Sequence, residues 1–148
     1  MSDALQKSER LLQATFVGDE EAVARGIEVV NDENTSILSY NDENSLACVL
    51  GIAYYYGRND YVMHRELAAG KGFADIVLIP RKNVDSPAIV IELKVNKDAA
   101  AAIDQIQRKQ YPAKVQDYAD RLLLVGINCD RQTKQHSCRI ESLVSTNL

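Results

Sequence analysis

Residues 87–95 read Pro-Ala-Ile-Val-Ile-Glu-Leu-Lys-Val. An apolar, β-branched run of this length is the pattern of a strand covered on both faces. Side chains alternate along a strand, so Glu92 and Lys94 point to the same face. A carboxylate and an ammonium inside a covered strand are costly unless they pair or hold a metal. Two explanations stand side by side: a buried ion pair, or a metal-dependent active site.

The composition sets the frame. The chain has 148 residues, 46% hydrophobic and 26% charged, which fits one globular domain with a real core. No run of 18 apolar residues is present, so no membrane span is expected. The opening Met-Ser-Asp-Ala-Leu-Gln-Lys lacks the basic-then-apolar order of a secretory signal. Cys48, Cys129 and Cys138 have no zinc-site spacing and are odd in number; they read as reduced thiols of a cytoplasmic protein. The net charge of −4 argues against a nucleic-acid partner, but its distribution argues for one. Residues 1–66 carry 5 Lys/Arg against 12 Asp/Glu, while residues 67–114 carry 8 against 5. The basic excess surrounds the charged strand, and a local positive patch binds phosphates even on an acidic protein.

Along the chain, Leu5, Leu11, Leu12 and Phe16 space an amphipathic helix over 2–16. Gly18-Asp19 breaks it, and Asp19 caps a second helix over 20–30. Asp42-Glu43-Asn44-Ser45 opens a third, which Gly57 ends. The period then shortens. Strands are predicted over 60–67, 73–80 and 87–95, with a glycine turn at 68–72 between the first two. Asp98 caps a helix to about Lys109. Pro112 suits the first turn of a short helix after it. Leu122–Cys129 is read as a second buried apolar strand and His136–Leu143 as a last one. A helix between the third and fourth strands predicts a crossover and a mixed sheet, hence an α/β (α+β) class.

Asp75 falls early in the second predicted strand, beside the glycine turn. If that strand neighbours the third, Asp75 approaches Glu92 at one end of the sheet. Two carboxylates with a lysine suit a hard divalent cation such as Mg²⁺ or Mn²⁺, which would act on a phosphoryl group. Lys94 would orient water or stabilise charge in the transition state.

This arrangement resembles the PD-(D/E)XK nuclease superfamily: Asp75, a loop and part of a strand, then Ile91-Glu92-Leu93-Lys94. It is similar, more narrowly, to the nuclease-like domain that follows an AAA-ATPase-like domain in many bacterial proteins. The matching stretches are 41–44, 65–66 through 70–75, 88–95, 104–106 through Tyr111, and 122–130. Ala74 stands where the family name has proline.

The resemblance implies a restriction-endonuclease-like core over 41–148, with a mixed central sheet flanked by helices. Residues 1–40 would form a helical extension packed on that core, within a single domain overall. Asp75 and Glu92 would be metal ligands, with Glu43 completing the site, and Lys94 would be the catalytic lysine. Gln105 would face the site from the following helix, and Glu66 would support it. Glu43 also reads as favourable charge at a helix N-terminus, and Gln105 as a solvated position.

Arg81, Lys82, Lys97, Arg108 and Lys109 are candidate contacts to a nucleic-acid backbone. The activity implied is that of a Mg²⁺-dependent endonuclease acting on DNA, with a homodimer or an ATPase-like partner domain among its associations. The alternative is a catalytically silent nuclease-like module that binds protein or nucleic acid, for which Tyr54-Tyr55-Tyr56 would offer a surface. A purely structural Glu92–Lys94 pair, about 7 Å apart along a strand, leaves Asp75 unexplained.

Overall fold

Among the described residues, five strands form one mixed sheet in the order β1-β2-β3-β4-β5. They span Tyr61–Ala68, Phe73–Pro80, Ala88–Val95, Arg121–Cys129 and His136–Val144. The computed structural model describes residues 3–33, 51, 53–68, 73–82, 84–108, 121–130, 132–133 and 135–144, with the backbone alone at 3–5, 33, 65–68, 73–75, 105–108 and 143–144. Pairing is antiparallel except between β3 and β4, which run parallel. The helices in chain order are α1 (Asp3–Val17), α2 (Glu20–Glu33) and α3 (Ala99–Arg108), and parallel neighbours such as β3 and β4 need a long crossover between them. The crossover helix is α3.

Local chemistry sets the helix ends. Gly18 adopts φ 75°, the left-handed conformation that glycine reaches without steric cost. Its N–H donates to the Thr15 carbonyl at 3.2 Å, and Asp19 N–H donates to Ala14 at 2.9 Å. This bond pair is the Schellman closure of α1. Asp19 then turns its carboxylate to the Ala22 N–H at 3.1 Å, capping α2. At α3 the same device recurs: Asp98 Oδ1 accepts from the Ala101 N–H at 2.6 Å.

The two faces of the sheet are covered differently. On one, Leu11 and Leu12 of α1, Val23 and Ile27 of α2, and Tyr54 pack against Ile76, Leu78, Ile89, Ile91, Leu93, Val125 and Ile127. On the other, Ile103 of α3 packs against Val77, Ala88, Val90, Leu122 and Leu124. β3 and β4 are therefore covered on both sides, as their continuous apolar sequence requires. α2 lies along the outer strand β5. Glu28 and Glu20 accept hydrogen bonds from the backbone N–H groups of His136 and Ile140 at 2.5 and 2.7 Å. Strand-edge donors that would otherwise recruit another chain are thus occupied.

Three local expectations need correction. Gly57 does not end a helix in a left-handed cap. It sits buried inside a 3-10 turn, Tyr55–Asn59, with its N–H bonded to the Tyr54 carbonyl at 2.9 Å. The three tyrosines do not act as one patch: Tyr54 is fully buried, Tyr56 is half-buried, and Tyr55 is exposed beneath the Arg58 guanidinium at 5.3 Å. The strand read as apolar over 122–129 contains Asn128, which is buried at 7% exposure. Residues 42–50, the glycine turn over 69–72 and the short helix expected at Pro112 lie outside the described residues. Among the described residues no helix is long and apolar enough to cross a membrane.

Candidate active site

The face of β3 under α3 changes character along its length. Ala88 and Val90 are apolar and packed beneath the helix. The next two positions on that face are Glu92, fully buried, and Lys94, 6% exposed. The strand thus leaves an apolar floor and enters a polar one within two residue pairs.

Sheet register decides what meets Glu92. Asp75 of β2 lies directly opposite it, and Glu66 of β1 lies directly opposite Asp75. Opposed residues share a face of the sheet, so positions 66, 75 and 92 form one acidic row across three strands. This donor set is carboxylate oxygen throughout, which fits a hard cation such as Mg²⁺ or Mn²⁺ and not a thiolate- or imidazole-seeking metal. Among the described side chains no three His, Cys, Asp or Glu are grouped to hold a metal. The side chains of Glu43, Glu66 and Asp75 lie outside the described ones.

The other side of Glu92 is held by close packing. Gly126 of β4 is its register partner. A Cβ at 126 would lie 2.6 Å from the Ala99 carbonyl oxygen and 3.0 Å from both Ala102 and Ile103. Only glycine lets the first turns of α3 sit this low on the sheet. The helix thereby closes over the strand beside Glu92, which accounts for the complete burial of that carboxylate.

Lys94 is flanked by Asn128, its register partner on β4. The Asn128 side-chain oxygen accepts the Lys97 N–H at 2.9 Å. Asn96, between Lys94 and α3, has φ 56°, a conformation asparagine tolerates better than most residues. Its N–H donates to the Cys129 carbonyl at 3.0 Å. These bonds fold the chain sharply after Lys94 and open a polar cavity of about 550 Å³, lined by Asn96, Lys97, Asn128, Asp130 and Gln132. It lies at the carboxyl ends of the two parallel strands, the usual place for ligands in such sheets.

The remaining sequence candidates are dispersed. Gln105 lies on α3, one turn beyond the buried Ala102, and Arg108 is that helix's last residue. Lys97 is exposed at the cavity rim. Arg81 and Lys82 are exposed just past the end of β2. They are six and seven residues beyond Asp75, roughly 20 Å at the rise of a strand, so the fold does not bring them to the acidic row. Glu43 and Lys109 lie outside the described residues. Asn128 escaped the sequence reading, although its signal matched that of Glu92: a polar residue within an otherwise apolar strand.

Neither described cysteine is in a disulfide. Cys129 is buried and Cys138 half-buried. Burial, helped by the nearby Glu20 charge, pushes the Cys138 thiol up to about 12. It is therefore neutral and a poor nucleophile near pH 7.

A search of the curated proteins finds no match to this chain. A sequence model of the PD-(D/E)XK nuclease superfamily matches residues 41–138, a span that contains the whole acidic row, Lys94, α3 and Asn128. With that match and a mixed sheet flanked by helices, the chain belongs to the PD-(D/E)XK nuclease superfamily.

Proposed function

We propose that this protein is a Mg²⁺- or Mn²⁺-dependent phosphodiesterase that cuts DNA as an endonuclease in the cytoplasm. The observation that carries this reading is the register pairing of Asp75 with Glu92, two residues from Lys94. Asp75 and Glu92 would hold the cation, with Glu43 completing the site and Glu66 supporting it. When bound, the cation supplies Lewis acidity toward the phosphoryl group. The Lys94 ammonium orients the attacking water and offsets negative charge gathering on the phosphoryl oxygens. Gln105, carried by α3, would serve the same site. Lys97, Arg108 and Lys109 contact the flanking phosphates, which would make binding weaken with salt. Burial of Glu92 and Lys94 strengthens their mutual influence by excluding water.

The test has two parts. Titration calorimetry with Mg²⁺ and Mn²⁺ should show binding to the native protein that is lost in Asp75→Ala and Glu92→Ala. Cleavage of duplex, branched and single-stranded DNA and of RNA should require the metal and should fail in Lys94→Ala. Absence of metal binding at millimolar concentration would overturn the enzymatic reading and favour a silent binding module.

A further inference from the structure

We infer that the polar cavity at the ends of β3 and β4 receives one unpaired nucleotide of the bound strand, so that this protein prefers single-stranded or frayed nucleic acid. The inference rests on the nuclease reading for its substrate class, but on different residues. The cavity, about 550 Å³, falls within the roughly 300–1,000 Å³ typical of small-ligand pockets. It begins two residues beyond Lys94, on the side of the sheet where Lys94 and its register partner Asn128 lie.

Its chemistry suits a nucleotide. Asn128 and Gln132 bring carboxamides, which carry both donors and acceptors and so match the edge of a base. Lys97 is exposed at the rim and suits a phosphate. Asp130, the lone carboxylate of the lining, is engaged by its own turn: Oδ1 accepts from the N–H groups of Gln132 and Thr133 at 2.8 and 3.1 Å. Asn128 is only 7% exposed and lines the floor of this open cavity beside the exposed Lys97 and Gln132. A base stacked within a duplex does not reach such a recess, whereas a splayed base does.

Fluorescence anisotropy of a labelled single-stranded oligonucleotide and of a hairpin duplex of the same sequence tests this. The single strand should bind more tightly. Gln132→Ala, at an exposed position, should weaken single-strand binding about tenfold, the scale of one lost hydrogen bond, and leave the duplex unchanged. Asn128→Asp keeps the acceptor for the Lys97 N–H but loses the amide donor, and should weaken the single strand likewise. Equal affinity for both forms, or variants that bind like the native protein, would overturn the inference. Metal-dependent cleavage together with single-strand binding that ignores these variants would leave the nuclease reading standing without it. Cavity-dependent single-strand binding without cleavage in any metal would do the reverse.

Discussion

The two faces of the central sheet are made from the same strands, yet they obey different rules. Against α1 and α2, β3 presents Ile89, Ile91 and Leu93, apolar from end to end. Against α3 it presents Ala88 and Val90, then Glu92 and Lys94. β4 repeats the contrast. Leu123, Val125 and Ile127 face one way, while Leu122 and Leu124 give way to Gly126 and Asn128 on the other. One face is built for stability along its whole length. The other spends only half its length on packing and turns polar at the same level on both strands. Buried charge is a poor means of stabilising a fold, so the polar half reads as a site that the apolar face supports.

The sharpest way to break this contrast is to exchange activity for stability. Lys94→Ala should lower cleavage by about 10²–10³-fold, the scale of losing one electrostatic contact to a transition state. The paired change Glu92→Met with Lys94→Met should abolish cleavage and hold or raise the melting temperature, since apolar replacement of buried charges is often neutral or favourable. A clear loss of stability in the double variant would show that the polar half is structural. On the opposite face, Ile91→Ala should cost about 2–5 kcal/mol by leaving a cavity, measured by urea unfolding. If it spared stability and removed cleavage, the division of labour would be wrong.

Gly126→Ala tests the boundary between the two regimes. The new methyl meets a backbone oxygen that has no rotamer to escape by, so a loss of about 1–3 kcal/mol is expected. Cleavage should fall further than that loss of stability explains, because α3 must lift beside Glu92. A smaller effect belongs to the sheet edge. Glu28→Ala frees the His136 N–H and should cost about 1 kcal/mol; light scattering would show any self-association through β5.

Alkaline pH probes the apolar face. Tyr61 is raised from 10.0 to about 12, chiefly by burial, and Cys138 from 9.0 to about 12. Both acids keep their protons in the folded chain after the unfolded chain has lost them. The folded state then binds more protons, so stability falls as pH rises from about 9 to about 12. Below pH 9 the profile should be flat with respect to these two groups. Cys138→Ala should make the decline shallower and delay its onset.

Much of this could be read in advance, for local reasons. The strand bounds at 73–80, the Gly18 break and the Asp19 and Asp98 caps rest on interactions within a few residues. Glu92 and Lys94 stood out because charge in an apolar run violates its surroundings. Asn128 gave the same signal more weakly, since a carboxamide costs less to bury than a charge. The separation of Tyr54 from Tyr55 was not legible, because a 3-10 turn rotates adjacent side chains to different sides. Nor was the remoteness of Arg81 and Lys82: basic residues near in sequence to Asp75 lie at the far end of its strand.

The five strands, the helices that begin near residues 3, 20 and 99, and the charge in the covered strand are legible along the chain, because periodicity and capping are properties of neighbouring residues. Only the folded sheet brings position 75 opposite Glu92 and Asn128 opposite Lys94, and settles a helix on Gly126. Those relations depend on strand register, and a shift of one residue would send every one of these side chains to the opposite face.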